Sequence, residues 1–271
     1  MTQWPARILL VGAGKMGGAM ALGWLEGGLT PSSLAILEPN PSEPITSLAA
    51  SRGIAMNPAQ CAPPEVLVLA VKPQSLDAAA PRIAPLAEAS TLVLSILAGK
   101  TIANLEKRLP KARAIVRAMP NTPASIGRGV TAAFASPDVT ATQRRWSERL
   151  FGAVGTFHWL DDEQAIDAVT AISGSGPAYV FALTEALAAA GEKLGLSPEL
   201  AMNLARGTVQ GSGELMSRDS STSPATLRRN VTSPGGTTAA ALAVLQGEDG
   251  LDDLMARAAA AARARAAEMA G

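Results

Sequence analysis

Cysteine and histidine are each present once in this 271-residue chain, as Cys61 and His158. One cysteine excludes an intrachain disulfide, and one histidine excludes a histidine-rich metal site, so no metal is expected. Aromatic side chains are scarce at 3%, with four Trp, four Phe and the single Tyr179. The interior must therefore be packed from Ala, Leu, Val and Ile, which suits closely packed helices. Charge of one sign is also missing, because 23 Lys and Arg face 23 Asp and Glu. No overall basic field recruits nucleic acid or anionic lipid, and no basic stripe with interleaved aromatics is visible. Long hydrophobic runs are absent too. The longest strongly apolar run, Val66 to Val71, falls far short of the roughly 20 residues of a spanning helix. The first run, Ile8 to Val11, leads into a glycine turn and not into a signal-peptide cleavage region. These absences point to a soluble cytoplasmic protein without a nucleic-acid or membrane partner.

What is present divides at about residue 160. Before it, short apolar runs alternate with helix-like segments: Ile8 to Val11, Leu34 to Leu37, Val66 to Val71, Leu92 to Ile96, Ala114 to Arg117 and Gly129 to Ala135. Several are continuous rather than alternating, as in parallel strands covered on both faces. Helices are expected between them, among others over Gly17 to Glu26 and Thr101 to Leu109. After Asp161 the chain reads as all-helical, with segments Asp162 to Ser173, Ala178 to Leu194, Pro198 to Ser217, Thr237 to Gln246 and Leu251 to Met269. Ser197-Pro198 and Ser223-Pro224 each set an N-cap before a proline at the first helical position. The expected fold is α/β with a mainly parallel sheet over residues 1–160, followed by an all-α domain over 161–271.

Gly12-Ala13-Gly14-Lys15-Met16-Gly17 follows the first strand directly and opens a helix. In that setting the first glycine allows a tight turn, the second lets backbone approach a pyrophosphate, and the third lets helix pack on strand. Free N–H groups at the helix start then face the phosphates. Glu38 ends the second strand about 20 residues further on, where an acidic side chain bonds the ribose hydroxyls. Pro39 and Asn40 beside it supply no cation for a 2′-phosphate. NADH or NADPH is the expected cofactor, with the residues leaning toward NADH.

Further motifs follow in order. Ala70-Val71-Lys72-Pro73 and Ser95-Ile96-Leu97-Ala98-Gly99 fall at the carboxyl ends of strands, the ligand edge of such sheets. Arg117 to Pro123 reads RAMPNTP, Ser173 to Tyr179 reads SGSGPAY, and Ser233 to Thr238 reads SPGGTT. Together, in this order and at these distances, they resemble the pyrroline-5-carboxylate reductase family over the whole chain. The resemblance implies a Rossmann-type domain, then a helical domain through which the chain forms a homodimer or an assembly of dimers. It implies reduction of a cyclic imine to proline. It also implies dinucleotide contacts from Gly12 to Gly17, Asn57, Ala70, Val71, Lys72, Pro73 and Ala98, with Asn230 near the cofactor. Substrate contacts are implied at Glu163, Ser233, Gly236, Thr237 and Thr238. Two departures stand out. Arg228-Arg229 replaces a lysine and an acid that relatives often carry, and Pro39 stands where many relatives have Ser, Thr or Arg.

A protonated imine is already electrophilic, so the reaction asks mainly for positioning. Pro234-Gly235-Gly236 before a helix start forms an anion nest suited to one carboxylate. Thr238, one residue further into the helix, is the expected catalytic side chain, hydrogen-bonding the imine nitrogen. A β-hydroxyacid dehydrogenase relative would need a helix-borne lysine, and the only one in the helical half, Lys193, lacks that family's glycine-rich setting. A dinucleotide-sensing regulator would have no use for the carboxylate nest.

Overall fold

A computed structural model describes residues 4–270. Eight strands form one sheet: β1 (Ile8–Val11), β2 (Leu34–Leu37), β3 (Ala55–Met56), β4 (Val66–Leu69), β5 (Leu92–Ser95), β6 (Ala114–Met119), β7 (Gly129–Ala135) and β8 (Gly155–Trp159). Their spatial order is β3-β2-β1-β4-β5-β6-β7-β8. All neighbours run parallel except β6 and β7, which are antiparallel. The order reverses at β1, the switch point at whose carboxyl end a dinucleotide fold binds its ligand.

The continuous apolar runs have a simple cause, which is that successive side chains enter two different cores. Ile8, Leu10, Val66, Val68, Leu92 and Leu94 point to one side. Leu9, Val11, Leu67, Leu69 and Val93 point to the other. The first core is closed by α1 (Lys15–Glu26), α2 (Glu43–Arg52) and α5 (Ala141–Gly152), which contribute Met20, Trp24, Ile45, Leu150 and Phe151. The buried Trp24 indole N–H donates to the Leu150 carbonyl at 2.8 Å, so the largest core side chain leaves no polar group unpaired. The second core is closed by α3 (Leu76–Ile83) and α4 (Ile102–Arg108) through Leu76, Ile83 and Leu105.

After β8 the described residues form six helices and a short π turn: α6 (Ala165–Val169), α7 (Gly176–Lys193), α8 (Pro198–Arg218), α9 (Pro224–Asn230), α10 (Thr237–Leu245) and α11 (Leu251–Ala270). Ser197 and Ser223 cap α8 and α9 as expected, accepting from the N–H groups of Leu200 and Thr226. Gly195, at φ +95°, ends α7 in a Schellman motif. There the Leu196 N–H reaches the Gly191 carbonyl at 3.1 Å and the Gly195 N–H reaches Glu192 at 2.9 Å. By packing, residues up to Ser175 and from Ala262 onward form one compact unit, and Gly176–Ala261 form another. Strands end at Trp159, but α6 stays with the first unit because it packs on β6 and β7.

Three expectations need correction. The helix expected over 162–173 is broken: α6 passes into a π-helical turn at Thr170–Gly174, with the Ser175 N–H donating to the Thr170 carbonyl at 2.8 Å. Thr170 also turns its hydroxyl back onto the Ile166 carbonyl at 2.8 Å, and such back-bonding loosens a helix. The edge strand β8 went unanticipated because its residues alternate between half-buried and exposed. Finally, residues 165–193 are long and apolar enough to cross a membrane by length and composition alone. Alanines and glycines separate the larger side chains there, so the longest apolar run did not reveal it.

Candidate active site

The glycine turn carries out three separate steric tasks. Gly12 sits at φ +94°, and a Cβ there would lie 2.6 Å from the Ala70 carbonyl carbon and oxygen. Gly17 is pressed against the Gly12 carbonyl oxygen, so helix and turn touch through backbone. Gly14 has nothing within 4 Å of its missing Cβ and faces open space. It is also the N-cap of α1, with no side-chain cap. The first ladder bond is Gly18 N–H to Gly14 carbonyl at 2.8 Å, leaving the N–H groups of Lys15, Met16 and Gly17 ahead of the ladder. An open glycine with donors beside it fits a pyrophosphate.

Glu38 and Asn57 are joined to this turn. Glu38 Oε2 accepts the Ala13 N–H at 2.9 Å and Oε1 accepts the Asn40 N–H at 3.0 Å. A carboxylate oxygen has a second lone pair, so both remain able to take ribose hydroxyls. Asn57, at φ +46°, grips the Glu38 main chain from both sides. Its Oδ1 accepts the Glu38 N–H at 2.9 Å and its Nδ2 donates to the Glu38 carbonyl at 2.7 Å. Asn57 thus acts through Glu38. A cavity of about 560 Å³ opens beside them, lined among others by Gly14, Glu38, Asn40, Ser42, Ile45 and Ser125. Of these, Ser42, Ile45 and Ser125 were not foreseen. The Ser42-Glu43-Pro44 sequence, an N-cap before a proline, is the signal that could have marked the start of α2 and this wall.

At the same sheet edge lie the other expected dinucleotide residues. Ala70 extends β4 by one bond, donating its N–H to the Val11 carbonyl at 2.8 Å, and the half-buried Val71 follows. Lys72 is exposed and caps the one-turn helix Pro73–Ser75. Ala98 lies half-buried in the turn between β5 and α4.

The RAMPNTP and SGSGPAY motifs meet here. The buried Asn121 accepts the Val130 N–H at 2.8 Å and donates to the Ser173 carbonyl in the π turn at 3.0 Å. Arg117 of β6, 3% exposed, pairs with Glu163 at 3.2 Å and Asp167 at 3.4 Å. Glu163 Oε1 also accepts the Ile102 N–H at 2.8 Å. His158 is exposed on β8, away from this edge's hydrogen bonds.

The remaining expected residues belong to the second unit. Gly235 is at φ +70°, and Gly236 caps α10 without a side-chain bond. The ladder of α10 begins with Ala240 N–H to Gly236 carbonyl at 3.2 Å. The N–H groups of Thr237, Thr238 and Ala239 precede it, and the Ser233 hydroxyl crowds the place where a Gly236 side chain would go. Donors so arranged at a helix start fit an anion. Asn230, the last residue of α9, is exposed.

Residues 163–269 match the family model for pyrroline-5-carboxylate reductase dimerisation. Residues 7–99 match that of coenzyme F420-dependent NADP oxidoreductases. The chain is 41% identical over 266 residues to pyrroline-5-carboxylate reductase of Pseudomonas aeruginosa, covering 97% of each. Its fold is similar to a pyrroline-5-carboxylate reductase structure from Coxiella burnetii, with TM-score 0.90, 35% identity and 98% and 99% of the two chains covered. It is also similar to the NADP-bound Plasmodium falciparum pyrroline carboxylate reductase, at TM-score 0.81, 30% identity and 98% of each chain.

Proposed function

The chain belongs to the pyrroline-5-carboxylate reductase family, and we propose how its residues divide that family's chemistry. It is an NAD(P)H-dependent oxidoreductase that reduces 1-pyrroline-5-carboxylate to proline in proline biosynthesis. When bound, the dinucleotide supplies a hydride from its nicotinamide ring to the C=N carbon. Gly12 to Gly17 take its pyrophosphate, Glu38 its adenosine ribose, and Ala70 to Pro73, Ala98 and Asn230 its other half, with Asn57 steadying Glu38. NADH is used at least as well as NADPH, since Glu38 repels a 2′-phosphate and Pro39 and Asn40 offer no cation.

The observation that carries the substrate assignment is the uncapped start of α10. Its N–H groups suit a single carboxylate, and Gly236 and Thr237 hold it through their backbone. Ser233 and Glu163 complete the substrate contacts, and the Thr238 hydroxyl hydrogen-bonds the ring nitrogen. An iminium needs no strong acid, so a positioned hydroxyl suffices. The dimerisation segment makes the chain a homo-oligomer. We take it as a homodimer or an assembly of dimers, built through a helical domain that starts at residue 161. Subunit contact, rather than a membrane, is the proposed cover for its apolar helices. The proposed compartment is the cytoplasm, in keeping with a single cysteine.

The test is oxidation of NADH and of NADPH on adding pyrroline-5-carboxylate. Turnover with NADH at least equal to that with NADPH is expected. A strong NADPH preference would overturn the cofactor assignment, and no oxidation of either would overturn the reading as a whole.

A further inference from the structure

Arg117 is a buried cation whose cost nothing in the proposed chemistry explains. It lies on β6 beside Ser95, the last residue of β5, and is the one charged side chain among the buried residues of the described strands. Its two terminal nitrogens pair with Glu163 and Asp167, but its Nε is buried without a partner. A buried ion pair with an unsatisfied donor is a poor device for stability, because an apolar side chain of similar volume does as well or better.

The pairing leads to the turn that carries Ala98. That turn leaves β5 at Ser95 and enters α4 at Ile102. Thr101 and Asn104 form a capping box there, each side chain bonding the other's N–H at 3.2 Å. The box serves those two donors and cannot serve the Ile102 N–H between them. That donor is met by Glu163, 61 residues away, at 2.8 Å. The oxygen that holds Ile102 is the same Oε1 that Arg117 grips. Asp167, one helical turn further along the chain, keeps the guanidinium from swinging away.

We propose that Arg117 is a positioning residue for dinucleotide binding, orienting Glu163 so that its carboxylate fixes the turn Ile96–Thr101 at Ile102. The proposal rests on the reading that Ala98 in this turn meets the dinucleotide. The Arg117 side chain itself touches neither cofactor nor substrate.

The test measures dissociation constants for NADH and NADPH together with amide exchange at Ile102 in the dinucleotide-free protein. Glu163→Ala is expected to raise both constants about tenfold, the loss of one charge-assisted hydrogen bond partly replaced by water. Ile102 exchange accelerates in parallel. Glu163→Gln keeps an oxygen for Ile102 and recovers most of the affinity. Arg117→Met leaves two carboxylates facing one another and can fail to fold. The neutral set Arg117→Met, Glu163→Gln and Asp167→Asn removes that charge, and it binds several-fold more weakly than Glu163→Gln alone at a comparable melting temperature. Ala98→Leu tests the underlying reading. Unchanged constants in Glu163→Ala and in the neutral set, alongside weakened binding in Ala98→Leu, would overturn the role of Arg117 alone. Wild-type binding by Ala98→Leu would overturn the reading of the turn and the proposal with it.

Discussion

Every residue of β1, β4, β5 and β6 is buried, whereas α9 and α10 bury none and α7 buries only Ala188. Both parts are rich in apolar side chains, so composition does not separate them. The sheet layers its own helices on both faces and closes two cores within one chain. The helical unit leaves Phe181 at 63%, Leu183 at 53%, Leu204 at 51% and Val244 at 78% exposure. Each such side chain forgoes roughly half to three-quarters of the ~1.5–3 kcal/mol that burial from full exposure would return. One unit is complete alone, and the other is shaped for a second copy of the chain.

The sharpest way to break this contrast is Phe181→Arg. A charge on the open face of α7 should abolish assembly, giving a monomer by light scattering and no reductase activity, while dinucleotide binding persists. A stable dimer in this variant would remove α7 from the interface. On the sheet side, Gly12→Ala combines a left-handed backbone with a Cβ 2.6 Å from the Ala70 carbonyl. Left-handed strain alone costs about 1–3 kcal/mol, and the collision adds to it. Dinucleotide affinity should fall roughly a hundredfold, with the oligomer intact.

Thr238→Ala sharpens the division of labour. The hydrogen bond it removes is worth about 0.5–1.5 kcal/mol if neutral and ~1.5–3 if charged. That corresponds to roughly 2- to 160-fold in kcat/KM, with dinucleotide affinity unchanged. Equal activity in variant and wild type would exclude the hydroxyl, and a matching loss of dinucleotide binding would show that more than the hydroxyl was disturbed. The smallest effect is expected at the surface of the sheet unit, where the Arg108 guanidinium holds the Asp77 carboxyl below its ordinary value. Arg108→Ala should raise that pKa in a carboxyl NMR titration. The contribution to stability is present above the unfolded-state pKa of Asp77 and fades as pH falls through its lower folded value.

Much of this architecture was legible wherever it depends on neighbours in the chain. β1, β2 and β7 fall on the expected residues because their apolar runs are bounded by turn residues. The caps at Ser197 and Ser223 were visible for the same reason. Thr140 and Gln143 form a capping box at the start of α5 that a search for that spacing would have found. β3 is two residues long, and β8 alternates along an edge with Thr156 and His158 exposed, so neither carries a strong period. Family resemblance named Asn57 and Glu163, but not what their side chains bond.

The sequence by itself determined the glycine turn, the longer buried strands, the capped helix starts and the open helix start at Thr237. These follow from the steric freedom of glycine, side-chain period and the orphan N–H groups of a helix start, all set within a few residues. Only the tertiary structure decided that β7 reverses direction against β6 and that Glu38 is braced by Ala13. It alone joined Asn121 to Ser173 across 52 positions and Arg117 to Glu163 across 46. Such partners are chosen by which strand ends and turns the sheet brings side by side, and no local pattern of residues carries that information.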